Sequence, residues 1–166
     1  MRKHIRIICI ILIVFSFIGC DQAAKYFAVR DLPYEASVTV LGGFVRFQFA
    51  ENQGYFLSFG SDLPAPIRRA AAIFMALISM AGFIALLTAA HKISAVQLIA
   101  FSLFIAGCFG NVIDRLLNHG RVVDFLILGT ETVHTSILNV ADILITVSLA
   151  IMVFIELKRK HTPKDA

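Results

Sequence analysis

The sequence predicts an integral membrane protein, mainly α, with four transmembrane helices and a small extracytoplasmic β-sheet and loop region. Two observations carry that reading. Of the 166 residues, 58% are hydrophobic and only 16% are charged, whereas a soluble domain carries roughly 25% charged residues. The apolar residues also gather into four runs of about the ~20 residues that cross ~30 Å of hydrocarbon at 1.5 Å per residue. Such a chain lacks the polar surface to cover itself in water, so the bilayer is its solvent. The net charge of +4 does not point to nucleic acid, because the cations sit mostly at the ends of apolar runs, where membrane topology places them.

The runs follow in order and define a single polytopic unit over residues 1–166. The first, about 5–27, is interrupted by Asp21, Gln22 and Lys25. The segment of about 28–69 carries Ser37-Val-Thr-Val-Leu41, a Gly42-Gly43 pair and Phe44-Val-Arg-Phe-Gln-Phe49. β-Branched and aromatic runs around a glycine turn are a hairpin signal. The second and third runs, about 70–90 and 93–113, are parted by little more than His91 and Lys92 and form a tight helical hairpin. The segment of about 114–136 leads into the fourth run, about 137–157. Cys9, Cys20 and Cys108 all lie in apolar stretches, an odd number without the spacing of a disulfide framework or zinc site.

With four spans both termini share a side. Placing them inside with the His91–Lys92 turn puts eight Lys/Arg and two acids there, against seven Lys/Arg and nine acids outside. The Lys/Arg totals barely differ, and Arg68-Arg69 outside is awkward. The rule is strongest for short flanks near span ends, and both terminal flanks, Arg2, Lys3 and Arg6 and then Lys158, Arg159 and Lys160, agree on a cytoplasmic location.

An ionisable residue in or at the edge of a span is expensive and by default a functional candidate. Here such residues gather at the outer ends of the helices. Asp21 and Lys25, four apart, share a helix face; a solvated helix-end pair would account for them equally well. Asn111, Asp114 and Arg115 in Gly110-Asn-Val-Ile-Asp-Arg115 share another face, and alone they would read as an interfacial cap with an Asp114–Arg115 pair. Gly107 and Gly110 would let another element approach closely. Asp124 lies in Arg121-Val-Val-Asp-Phe-Leu-Ile-Leu128, an apolar stretch too short to span. Asp142, in Asn139-Val-Ala-Asp142, is expected a turn or two into the fourth span, roughly 5–10 Å deep. A lone charge there costs a few kcal/mol, and a purely structural role does not explain it.

No Ser/His/Asp set is plausible. His4, His91 and His161 are on the cytoplasmic side, and no serine sits in a strained glycine-flanked elbow. No metal-ligand spacing such as HExxH occurs, and neither metal nor cofactor is expected. The remaining equipment is carboxylate. Two carboxylates held close share one proton, so that the charged one takes a proton from water and the protonated one donates to a scissile carbonyl. Asp21 has Lys25 on its face and Asp114 has Arg115 beside it, and either could be held ionised in a structural pair. Asp124 and Asp142 lack an adjacent cation, which favours them slightly; the residues alone leave the choice among the four open.

Five segments in order carry a family resemblance: Asp21-Gln-Ala-Ala-Lys25; Asn52-Gln-Gly54 with Ser58; Gly110-Asn-Val-Ile-Asp-Arg115; Val122-Val-Asp-Phe125; and Asn139-Val-Ala-Asp142. The chain resembles the lipoprotein signal peptidases (signal peptidase II) over most of its length. The resemblance implies an aspartyl endopeptidase of the bacterial cytoplasmic (inner) membrane, with its active site at the outer leaflet. Its substrates would be diacylglyceryl-modified prolipoproteins, cut N-terminal to the lipidated cysteine. It further implies catalytic roles for Asp124 and Asp142, and substrate-binding or supporting roles for Asp21, Lys25, Asn52, Gly54, Asn111, Asp114, Arg115, Asn139 and Ala141. A monomer is expected, with membrane lipids as its surroundings and no nucleic-acid partner. The chain departs from the usual family pattern at Tyr55-Phe-Leu57, at Leu138 and at Ile143.

Two other readings compete. Arg2 to Cys20, ending in Phe17-Ile-Gly-Cys20, resembles a lipoprotein signal peptide, which would make the chain a substrate; three further spans are then unexplained. A proton-pathway or transporter subunit would also carry intramembrane acids, but at several depths. The inner halves of spans two to four carry no charged residue except Glu156, at the very end of span four.

Overall fold

The computed structural model describes residues 3–33, 36–54 and 61–161. Four long helices form the bundle: α1 (Lys3–Asp31), α2 (Ala65–Ala89), α3 (Ala95–Leu117) and α4 (Val140–His161). All four are long and apolar enough to cross a membrane. α3 is the central helix, packing on the other three. Half of its apolar stretch is buried, against 17% in each of the others. α1, α2 and α4 turn large apolar side chains such as Leu12, Phe15, Phe74, Leu77 and Phe154 outward, a surface suited to lipid.

The starts of α2 and α3 follow from local sequence. α2 begins behind Pro64, with Pro66 in its first turn, positions where a missing N–H costs nothing. α3 begins with a capping box in which the Ser94 hydroxyl accepts from the Gln97 backbone N–H and the Gln97 side-chain Oε1 accepts from the Ser94 backbone N–H. The short link between α2 and α3 is pinned from α1, because the Arg6 guanidinium donates to the carbonyls of Ala90 (2.6 Å) and Ile93 (2.5 Å). Beside it lies an apolar core of Ile10, Val14, Leu86, Ala90, Leu98 and Ile105.

At the opposite end a three-stranded antiparallel sheet covers the bundle in the order β1 (Val38–Val40), β2 (Val45–Asn52), β3 (Val122–Leu128). β1 and β2 form the hairpin expected around Gly42-Gly43, with Val40 opposite Val45. Gly42 and Gly43 adopt positive φ of 66° and 89°, a region open to glycine at little cost. β3 was not anticipated as a strand. It pairs Ala50 with Asp124 and Asn52 with Val122, after a register shift between Phe47 and Ala50. The chain then folds back, and Leu138 bridges Leu126 through hydrogen bonds in both directions at 2.8 Å. Ala28 of α1 with Val123 and Phe125 of β3 forms a second apolar cluster under the sheet.

The close helix approach expected at the glycines is present. A Cβ on Gly107 would stand 2.6 Å from the Ala141 carbonyl oxygen and 2.8 Å from Ile145 Cγ1. One on Gly110 would stand 2.6 Å from Asp21 Oδ2. Gly107 therefore lets α4 lie against α3, and Gly110 admits the Asp21 carboxylate. Gly107→Ala is expected to destabilise by about 1–3 kcal/mol, the usual size of overpacking. Thermal unfolding in detergent, with Gly19→Ala as the unhindered control, checks this; Gly19 has nothing within 4 Å of an added Cβ.

Candidate active site

The carboxylates gather where α1, α3 and α4 meet the sheet. Two layers can be distinguished by what their oxygens touch.

The deeper layer is an ionic core. Lys25, 3% exposed, lies 2.8 Å from Asp21 Oδ2 and 3.0 Å from Asp114 Oδ2, with both carboxylates buried. The Asp21–Lys25 pair is thus not the solvated helix-end pair that its sequence also allowed. The other Asp21 oxygen accepts from the Ala141 N–H of α4 at 2.9 Å. Asp114 also accepts from the Val123 N–H of β3 (3.0 Å) and from the Gln22 amide (2.9 Å). The ion pair of Asp114 comes from Lys25 of α1, a correction to the sequence-adjacent Arg115. The Arg115 guanidinium instead reaches the carbonyls of Gly54 (2.7 Å) and Asn111 (3.2 Å), fastening the end of β2 to α3. One buried lysine therefore ties α1 to α3, while its two acids hold the backbone of α4 and β3. Buried ions survive only when paired and hydrogen-bonded in this way.

The outer layer holds Asp124 and Asp142, joined by Asn139. Asn139 is the N-cap of α4, for its carbonyl accepts the first helical bond from Ile143. Its side-chain oxygen accepts from the Asp142 N–H at 2.9 Å, and Asp142 Oδ2 accepts from the Asn139 N–H at 3.1 Å. Asp142 thus sits at the third position of a reciprocal capping box. This corrects the expected depth: Ile137 and Leu138 belong to the return from the sheet, and Asp142 lies in the first turn of α4. The two N–H bonds of the Asn139 amide go to Asp124 Oδ1 (2.7 Å) and Asn111 Oδ1 (3.0 Å). Asn52 donates to Asp124 Oδ2 at 2.9 Å, and Asn111 donates to Asp142 Oδ1 at 2.8 Å. Lys25 donates to Asn111 Oδ1 at 3.2 Å, which fixes the amide of Asn111 with its N–H toward Asp142. The two layers are therefore linked, and each oxygen of both acids accepts an N–H.

Local structure explains the placement. The antiparallel register sets Asp124 opposite Ala50, two residues before Asn52. The side-chain Oδ1 of Asn52 accepts from the Gly54 N–H at 2.9 Å, so its NH2 group is turned toward Asp124. The Leu126–Leu138 bridge brings the start of α4 beside the strand. Asp124 is 3% exposed. Burial pushes its carboxyl up to about 6, and the nearby charge of Asp142 pushes the same way. Hydrogen bonds from Asn52 and Asn139 and the charge of Lys25 oppose the rise. An open cavity of about 730 Å³ lies over it, lined by Glu51, Asn52, Gly54, Ser136 and Ile137 among others.

All eleven site residues singled out in the sequence lie in this region. Asp124, Asp142, Asn52, Asn111 and Asn139 form the outer layer; Asp21, Lys25 and Asp114 form the inner one. Gly54, Arg115 and Ala141 contribute through the backbone or a backbone contact. The family departures at Tyr55–Leu57, together with Ser58, fall outside the described residues. Sequence reading missed Gln22, whose amide bridges Asp114, the Gly110 carbonyl (3.2 Å) and Asp21 (3.3 Å). An amide between two charged residues of an apolar run was the available signal.

The fold and site define a multi-pass membrane protein with a carboxylate–carboxamide cluster at one end of its bundle, a donor set suited to acid–base chemistry. The model of the family described as signal peptidase (SPase) II matches residues 12–158. The lipoprotein signal peptidase of Pasteurella multocida (strain Pm70) is 33% identical over 147 residues, covering 87% of this chain and 86% of that protein. That of Geobacter metallireducens (strain GS-15) is 32% identical over 152 residues, covering 92% and 91%. A bacterial membrane enzyme solved by the in meso method superposes with a TM-score of 0.75 at 27% identity, over 95% of this chain and 93% of that one. The chain belongs to the signal peptidase II family of membrane peptidases.

Proposed function

We propose that the protein is an aspartyl endopeptidase that removes signal peptides from diacylglyceryl-modified bacterial prolipoproteins, with Asp124 and Asp142 as its catalytic pair. The observation that carries this reading is the double grip of Asn139 on both carboxylates at the sheet-covered end of the bundle.

The chemistry follows from one shared proton. The ionised acid takes a proton from water as its oxygen attacks the scissile carbonyl carbon. The protonated acid gives its proton to the carbonyl oxygen, so the tetrahedral intermediate is a neutral gem-diol. Collapse breaks the C–N bond. The nitrogen takes the proton first abstracted, and a diol proton returns to the pair. The products are the signal peptide, with a new carboxyl group, and the lipidated cysteine, with a free α-amine. No covalent intermediate is formed. Proton sharing belongs to the pair, and its titration is that of the pair.

The lipid anchors the substrate at the level of the headgroups, which is where a site at the end of a four-span bundle meets it. The termini are cytoplasmic in this reading and the site faces the outer leaflet of the cytoplasmic membrane. All the acids and amides come from one chain, so a monomer suffices.

The test is a gel-shift cleavage assay with purified protein and two forms of one prolipoprotein, with and without the diacylglyceryl group. Cleavage of the lipidated form at the bond before its cysteine is expected, with the unmodified form cut far more slowly. Equal cleavage of both forms would refute the substrate assignment, and cleavage of neither would refute the activity.

A further inference from the structure

At the end of the bundle remote from the acids, a groove of about 960 Å³ runs between the start of α3 and the second half of α4. Val96 and Gln97 form one wall; Val147, Ala150, Ile151 and Phe154 form the other. Lys158 and Arg159 line its end. Nothing in the peptidase chemistry uses it.

Its composition runs in one direction, from apolar to cationic. Val147 is 45% exposed and Phe154 67% exposed, on helices long and apolar enough to lie in hydrocarbon. From Val147 to Lys158 the groove extends eleven residues along α4, or ~16 Å at 1.5 Å per residue. That is about half of the ~30 Å hydrocarbon core, the depth of one leaflet. The mouth carries Lys158, Arg159 and, one residue on, Lys160, while Glu156 is the one acid among residues 147–161. Glu156 meets Arg159 at 3.6 Å with both side chains exposed, and residues 147–161 carry three Lys/Arg against this one acid. The start of α3 adds the positive end of its dipole at the same level.

We propose that this groove is a binding site for an anionic phospholipid. One acyl chain lies against Val147, Ala150, Ile151 and Phe154, and the phosphate meets Lys158 and Arg159. Basic pockets between transmembrane helices, at the membrane face that carries the cationic flanks, recognise anionic headgroups in this manner. An acyl chain explains the apolar length of the groove, and the phosphate explains why the cations stand at its open end.

The experiment uses the purified full chain in a neutral detergent. Native mass spectrometry and thermal unfolding are followed as phosphatidylglycerol, phosphatidylcholine or glycerol 3-phosphate is titrated in. Phosphatidylglycerol is expected to bind at least ~10-fold more tightly than phosphatidylcholine and to raise the unfolding midpoint. Glycerol 3-phosphate should do neither, because it has no chain. Lys158→Gln combined with Arg159→Gln should abolish the preference. Ala150→Phe, which fills the exposed wall of the groove and keeps both cations, should weaken phosphatidylglycerol binding about as much. Lys92→Gln, on the link between α2 and α3 at the same end, should leave it intact. Each variant's unfolding midpoint without lipid reports that it is folded. Equal binding of the two lipids, or a preference that survives the Lys158/Arg159 change, would overturn the proposal. An effect of Lys92→Gln equal to that of Lys158→Gln with Arg159→Gln, or none from Ala150→Phe, would reduce it to diffuse attraction and also overturn it. Stabilisation by glycerol 3-phosphate alone would replace the lipid with a free phosphate.

Discussion

Asp124→Asn and Asp142→Asn are each expected to lower the cleavage rate by at least ~10²–10⁴-fold, the usual size of a lost acid–base group, while leaving the protein folded. Asparagine nearly matches aspartate in shape, so the cost falls on the proton rather than on packing. Asp142 supports this split, since an asparagine there retains an oxygen to accept the Asn139 N–H that closes the α4 capping box. At Asp124 one oxygen can still accept from Asn52 or Asn139, which now give it 2.9 and 2.7 Å contacts. Thermal midpoints close to wild type, beside a near-total loss of cleavage at equal folded protein, would be the expected pairing. Cleavage surviving in either variant would move the catalytic pair to other acids, Asp21 and Asp114 being next.

The second large effect is structural. Lys25→Met is expected to leave Asp21 and Asp114, both buried, without their shared cation. Removing one member of a buried ionic set costs about 3–5 kcal/mol, because the remaining charges stay uncompensated. At ~2–4 °C per kcal/mol for a chain of this size, the unfolding midpoint should fall by roughly 10 °C or more. Adding Asp21→Asn to Lys25→Met removes one of the stranded charges. Asp114 then keeps its N–H donors, Val123 and Gln22, and the double variant should be more stable than the single one. A single variant that melts with wild type would show that the ionic core does not hold the helices together.

The parts of the structure legible in sequence were those set by local pattern. Four apolar runs gave four helices, and the β-branched and aromatic runs around Gly42-Gly43 gave the first two strands. Gly107 and Gly110 announced a close approach, though not which element would arrive. β3 was hidden because Val122 to Leu128 is nearly continuous in apolar residues, without alternation, and its partner strand lies seventy residues away. The depth of Asp142 was misjudged for a related reason: Ile137 and Leu138 look like the start of a span, but Leu138 is committed to a bridge with Leu126. Nearest-neighbour reasoning also misled at Asp114. Its ion pair crosses the bundle to Lys25, and no spacing along the chain encodes that contact. The role of Asn139 was the least visible of all. A motif can mark it, but only the fold discloses that its carboxamide holds Asp124 while its backbone N–H holds the Asp142 carboxylate.

That grip makes the shared proton measurable. The pH dependence of kcat/KM reports the titration of the free enzyme's acid and base. Burial and the charge of Asp142 push Asp124 up to about 6, above the ordinary carboxylate value of about 3.9. A raised pKa means that the proton is held between about pH 4 and 6 and lost as pH rises through 6. The pair therefore loses its shared proton on that side, and kcat/KM is expected to fall along an alkaline limb near 6. Asn52→Ala removes a hydrogen bond that favours the ionised form, so its limb should move to higher pH. A limb near 6 that shifts upward in Asn52→Ala is the predicted result. Activity that is flat from pH 4 to 8, or a limb indifferent to Asn52, would contradict proton sharing by Asp124 and Asp142.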